Sequence, residues 1–202
     1  MLKNIFSNPA ILFLLAGNIY CIWYYENNPD AFATVVWIYW FQSITIGLFT
    51  FLDLLTVKNY DTGNFKMNNK PVTSDNKGCV AWFFLFHYGI FHVVYAVFLL
   101  VNQGIRSVDK IILMLGIAVF FAESILNFMK QKQIEHTQSI NLGTMFFLPY
   151  LRIIPMHLMI LLPAFLGWKP SLLFLALKMG ADILSFLIYH FVYGKNKIAD
   201  NS

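Results

Sequence analysis

Six stretches of twenty or more predominantly apolar residues follow one another along the chain, at residues 6–25, 32–57, 79–102, 108–130, 145–167 and 170–193. A bilayer's hydrocarbon core of about 30 Å is crossed by about 20 residues of α-helix. Lipid offers no partner for a backbone N–H or C=O, so a span must satisfy its own hydrogen bonds as a helix. The pattern therefore predicts an all-α, polytopic bundle of six transmembrane helices, organised as one integral membrane domain over residues 1–202.

Composition agrees. Of the 202 residues, 58% are hydrophobic and only 12% are charged, with 18% aromatic and a mean hydropathy of +0.62; soluble proteins carry roughly 25% charged residues. The tracts run nearly end to end and leave no room for a sizeable water-soluble domain. Net charge is +4, but the basic residues are scattered through the connections and form no block that would track phosphates, so nucleic acid is not an expected partner. Cys21 and Cys79 fall on opposite faces of the predicted membrane, which argues against a disulfide between them. The first tract follows Lys3 as an export signal would, yet no small-x-small cleavage site follows it, and Leu15-Ala16-Gly17 is succeeded by Asn18. It reads as a first span.

Orientation follows from the basic residues outside the spans. Lys3, Lys58, Lys66, Lys70, Lys77, Lys130, Lys132, Lys195 and Lys197 collect on one side, and only Arg106, Lys110 and Lys169 on the other. Both termini are expected in the cytoplasm, with the chain in the cytoplasmic membrane of a bacterium. Within the long polar connection, Asp61-Thr62-Gly63-Asn64 reads as a turn. A faint internal similarity between Trp40-Phe41-Gln42-Ser43-Ile44 and Phe121-Ala122-Glu123-Ser124-Ile125 suggests a parallel repeat of hairpins, helices two and three with four and five.

The ionisable residues lie within the spans. At about 1.5 Å per residue, His87, Glu123 and Arg152 fall about 8 to 11 Å from the cytoplasmic side, His92, His157 and Asp182 about 15 to 18 Å, and Gln42 and Lys178 about 22 Å. A lone charge at such depth costs at least about 2.5 to 3.5 kcal/mol, so these groups are expected to face one another inside the bundle. Lys178 and Asp182 are one helical turn apart and can pair along one face. Arg152 can meet Glu123 at matching depth. Staples of this kind explain any single pair without further function.

His92, His157 and Asp182 share the midplane layer, and two imidazoles with a carboxylate would hold a divalent metal with open positions. They come from three helices, with no HxxxH or HExxH pair to fix them together. A membrane histidine also serves as a hydrogen-bond partner or proton relay. His87 and His92 are five apart, about 140° around a helix. Asp53 and His190 sit near helix ends, where snorkelling accounts for them. Pro149, Pro155 and Pro163 each remove a backbone donor and are expected to kink the fifth helix beside Arg152 and His157. There is no Gly-rich phosphate loop, GxSxG elbow or CxxC pair. Without a GxxxG motif, Gly47, Gly89, Gly116 and Gly180 stand as single positions of close helix approach.

Tyr39-Trp40-Phe41-Gln42 with Ile46-Gly47, His87-Tyr88-Gly89-Ile90-Phe91, Pro149-Tyr150-Leu151-Arg152 with His157, and Leu177-Lys178 with Asp182 together resemble a bacterial family of multi-pass membrane proteins catalogued as a domain of unknown function. The resemblance spans helices two to six. It implies a six-helix bundle and marks His87, Tyr88, Arg152, His157, Lys178 and Asp182 as the interior set. In that family the position of Gln42 is usually glutamate, so a carboxylate role there does not transfer. The resemblance implies no activity.

The layered set of Gln42, His87, Tyr88, His92, Glu123, Arg152, His157, Lys178 and Asp182 points to a transporter or permease-like protein. Its polar core would line a path for a small polar solute or ion, coupled to protons, with the lipid bilayer as its surroundings. Two rivals stand beside it. One is an intramembrane enzyme with a divalent metal cofactor at His92, His157 and Asp182 and with Glu123 or His87 as acid or base. The other is a structural or sensory subunit whose buried charges are staples. Oligomer formation is left open by the sequence.

Overall fold

The computed structural model describes residues 9–67, 69–102, 104, 107–166 and 172–194. Lys3, Arg106, Lys169, Lys195 and Lys197, used above for orientation, lie outside them, as do the side chains of His190 and Pro163. The described residues form six α-helices: α1 (Pro9–Asn27), α2 (Phe32–Thr56), α3 (Ser74–Asn102), α4 (Lys110–Glu135), α5 (Leu142–Leu166) and α6 (Leu172–Gly194). They also include four two-residue strands, β1 (Tyr60–Asp61), β2 (Lys66–Met67), β3 (Lys70–Pro71) and β4 (Ile140–Asn141). The all-α bundle expected from the apolar tracts is the observed architecture.

The two largest overruns of the apolar tracts, at the start of α3 and the end of α4, have local reasons. α3 begins at Ser74 because Thr73 caps it: the Thr73 N–H donates to Asn76 Oδ1 at 2.8 Å, and the Thr73 carbonyl accepts from Lys77 N at 2.9 Å. The first of these bonds is one half of a capping box, with asparagine in the glutamate place; the second is the first bond of the helix. α4 continues to Glu135 because Lys132 bonds Glu135 within its last turn at 3.0 Å and reaches Asp53 of α2 at 3.2 Å. At the other end of α4, Asp109 accepts from the N–H groups of Ile111 and Ile112 at 3.0 and 3.1 Å. Asp109→Ala is expected to lower stability by about 1 kcal/mol, read as a lower thermal midpoint in detergent.

The helices alternate in direction, and hydrogen bonds tie their connections together at each end. At one end β1 pairs in parallel with β4, joining the α2–α3 and α4–α5 connections, while β2 and β3 form a small antiparallel hairpin. The expected turn is present, with Gly63 at φ 50 and its N–H bonded to Asp61 Oδ1 at 3.0 Å. At the opposite end Trp37 Nε1 donates to the Gly104 carbonyl at 3.4 Å, and Asp109 N to Thr34 Oγ1 at 3.0 Å.

α2 is the central helix, packed on α3, α4 and α5, and α6 bridges α5 and α1. Residues 32–39 of α2 are buried on every side. α4 packs chiefly on α1 and α2, so the two hairpins of the suggested repeat are packed differently. The prolines do not divide α5, which is one helix from Leu142 to Leu166. Two of the four glycine positions named above need restating, together with one addition. A Cβ on Gly47 would stand 2.5 Å from the Tyr88 ring and one on Gly116 2.8 Å from Ile38, as expected, but Gly89 and Gly180 face open space; Gly17, against Phe120 at 2.8 Å, is a further close approach.

Among the described residues, three segments are long and apolar enough to cross a membrane: Pro29–Thr56, Ser74–Val101 and Lys110–Glu135, with hydropathies of 1.6, 2.0 and 2.2. Their outer surfaces present large apolar groups such as Phe86, Ile90, Val93, Val101, Ile111 and Met114, each more than half exposed. A continuous apolar surface of this extent has no stable place in water. It is the surface of a membrane protein.

Candidate functional site

The interior is polar where the sequence places its charges. Lys178 and Asp182, one turn apart on α6, are joined at 2.6 Å. The Lys178 ammonium also donates to Gln42 Oε1 of α2 at 2.8 Å and lies 5.0 Å from the centre of the Tyr39 ring. Asp182 Oδ2 accepts from Gln42 Nε2 at 3.2 Å and from Asn18 Nδ2 of α1 at 3.1 Å. Tyr39 OH donates to Asn18 Oδ1 at 3.2 Å, so the amide is held from both ends. Gln42 uses both ends of its own amide. A glutamate in its place would lose the donor to Asp182 and add a negative charge.

Arg152 of α5 links this group to a second one. Its Nε lies 3.9 Å from Asp182 Oδ1, and its terminal nitrogen 3.4 Å from Glu123 Oε1 of α4. Glu123 also accepts from Asn127 Nδ2 at 2.6 Å. Glu123 and Asp182 are 0% exposed and Lys178 2%. Two cations and two carboxylates thus form a neutral chain of charge across three helices, oriented by amides from α1, α2 and α4. Charges that would each be costly in a low-dielectric interior are tolerated there because each is paired and hydrogen-bonded.

Four of the expected residues lie elsewhere. His92 Nδ1 donates to the Tyr88 carbonyl at 2.8 Å, which leaves Nε2 to accept from the Ser43 hydroxyl at 2.9 Å. Tyr88 OH lies 2.9 Å from Ser43 Oγ and 3.0 Å from Ser43 O. His157 Nδ1 donates to the Ile153 carbonyl at 2.6 Å, and its ring packs edge-on against Tyr95 at 4.4 Å. His87 is exposed on the outer face, with Nδ1 2.8 Å from Tyr150 OH.

The metal set expected at His92, His157 and Asp182 is therefore not assembled. Equal depth did not bring the three to one point, because each faces a different neighbour. Among the described residues no group of three or more His, Cys, Asp or Glu stands close enough to hold a metal ion. His87, expected at the depth of Glu123 and Arg152, is exposed and does not meet them. Asp53, assigned above to snorkelling, is 4% exposed and ion-paired to Lys132.

A crevice of about 100 Å³ opens beside the charged chain, lined by Thr50 and Asp53 of α2, Asn127 and Gln131 of α4, Arg152 of α5 and Ser185 of α6. It lies at the end of the bundle that carries the β1–β4 pair, and Arg152 joins it to Glu123 and Asp182. Gln131 Nε2 and Ser185 Oγ are buried there without a hydrogen-bond partner among the described residues. Room for several waters and unpaired polar atoms together describe a wet or ligand-holding space. Asn18, Ser43, Asn127, Gln131 and Ser185 were not among the expected site residues; for all but Gln131, which follows the fourth apolar tract, the one available signal was a polar side chain within such a tract, strongest for Asn18.

The match to a protein-family model extends from residue 1 to residue 197, and the model describes a family of unknown function. The chain belongs to the DUF6498 family. The match takes in all six helices, the charged chain and the crevice, so the likeness to an uncharacterised family expected from the sequence is found. No curated protein and no solved structure matches the chain.

Proposed function

We propose that this DUF6498 protein is a multi-pass transporter of a small polar solute or ion, with all six helices crossing the bacterial cytoplasmic membrane and both termini in the cytoplasm. The alternating helix directions and the lysine-rich connections at one end support that topology. The observation that carries the transport reading is the crevice. It brings unpaired polar atoms from two helices to an arginine that is itself paired with Glu123 and Asp182.

A solute entering there would compete for Arg152 and alter its hold on Glu123 and Asp182. Loosening that contact would let α5 and α6 move relative to α4, which couples occupancy to helix arrangement. A proton delivered to either carboxylate would bias the same contact, and this is the route proposed for proton coupling. The metal-enzyme reading has lost its ligand set. The structural-subunit reading keeps one observation in its favour, the complete pairing of the four charges.

Flux into proteoliposomes tests the proposal, with a trapped pH-sensitive dye reporting proton movement and a panel of labelled amino acids, small amides and monovalent ions as solutes. Gln131→Leu with Ser185→Leu fills the crevice and leaves every ion pair in place, and it is expected to reduce flux to the level of empty liposomes. Absence of flux for the whole panel in the unaltered protein, or unchanged flux in the filled variant, would count against transport through this crevice.

A further inference from the structure

A second cavity lies on the outside of the bundle. It is a groove of about 840 Å³ between the beginnings of α3 and α5, bordered by the β2–β3 hairpin. Its volume falls within the range of about 300 to 1,000 Å³ typical of small-molecule sites. Phe83, Phe146 and Phe147 supply apolar walls, Lys66 stands at the rim, and His87 with Tyr150 lies farther along. From Cys79 to His87 along α3 is about 12 Å.

We propose that this groove binds one anionic glycerophospholipid, with the phosphate on Lys66 and an acyl chain between the phenylalanine rings. Three features select this occupant. The groove lies on the apolar exterior, where lipid is the medium. Lys66 is exposed on the hairpin and Lys70 is opposite Met67 in the same hairpin, so the rim carries positive charge that complements a phosphate. His87 is exposed at the groove and one of its ring nitrogens is hydrogen-bonded to the half-buried Tyr150, so the other is a polar atom on an apolar surface, where the lack of a partner is costly. With His87 Nδ1 taken by Tyr150, Nε2 remains to meet the ester linkage of the lipid. A neutral hydrocarbon would answer the walls and leave both polar features unmet.

Cys79 borders the groove and is exposed, whereas Cys21 is buried. Cys79 is thus a built-in reporter of occupancy. In a mild detergent, maleimide labelling of Cys79 is followed by mass spectrometry with phosphatidylglycerol or phosphatidylcholine at equal mole fraction. Phosphatidylglycerol is expected to slow labelling several-fold more than phosphatidylcholine, and Lys66→Glu to erase that difference. Equal protection by the two lipids, or a preference that survives Lys66→Glu combined with Lys70→Glu, would overturn the assignment. Native mass spectra of the unaltered protein give a check that needs no variant: retention of one phosphatidylglycerol per chain supports the site, and preferential retention of phosphatidylcholine refutes it.

Discussion

Asp182→Leu is expected to leave little folded, monodisperse protein. The substitution strands the Lys178 ammonium, which loses its partner at 2.6 Å, and removes the acceptor shared by Gln42 and Asn18. Breaking a buried ion pair from one side costs about 3 to 5 kcal/mol, because the surviving charge stays buried without compensation. Against a typical stability of about 5 to 15 kcal/mol, that loss decides whether the bundle assembles. Adding Lys178→Met is expected to recover most of it, since an apolar pair replaces a charged one. Recovery will be incomplete, because Arg152 keeps only Glu123 and the two amides lose an acceptor. Thermal unfolding in detergent reads both variants.

The same double variant separates the two surviving functional readings. A structural or sensory subunit that uses these charges as staples would keep its cellular role once the fold is restored. A transporter would fold and yet fail, because Asp182 is one of the two carboxylates holding Arg152 at the crevice. Recovery of the thermal midpoint together with full flux in proteoliposomes would remove the charged chain from the transport proposal.

The sequence reveals those properties that depend on distance along a helix and hides those that depend on direction around it. Lys178 with Asp182 follows from a four-residue spacing, and Glu123 with Arg152 from equal depth on two helices. Depth fails for His92, His157 and Asp182, since helices that share a layer can point in any direction within it. Gln42 and Ser43 show how fine the distinction is. They are neighbours about 100° apart around α2, so Gln42 reaches Lys178 and Asp182 while Ser43 reaches Tyr88 and His92. The five-residue spacing of His87 and His92 is informative for the same reason: one is exposed on the groove, and the other is buried beneath Tyr88. Asn18 lay beyond either rule, because its partners are 21 and 164 residues away and nothing local indicates which helix α1 meets.

Gly47→Ala is expected to destabilise the bundle by more than its single methyl group suggests. The added Cβ would stand 2.5 and 2.7 Å from two atoms of the Tyr88 ring, too close for any contact, and that ring has little freedom to yield. It stacks on Phe84 at 5.1 Å and on His92 at 4.5 Å, while its hydroxyl is fixed to Ser43. Overpacking a core costs about 1 to 3 kcal/mol. Pulling Tyr88 from Ser43 adds about 1 to 3 kcal/mol for buried polar groups left without partners. Gly180→Ala and Gly89→Ala serve as controls, since nothing lies within 4 Å of either new Cβ; each is expected to gain about 0.5 to 1 kcal/mol from the better helix former. Opposite shifts of the thermal midpoint for Gly47→Ala and Gly180→Ala would establish that Tyr88 is locked between α2 and α3. Equal shifts would mean that the ring moves aside at no cost and that the Ser43, Tyr88 and His92 hydrogen bonds do not hold those helices in register.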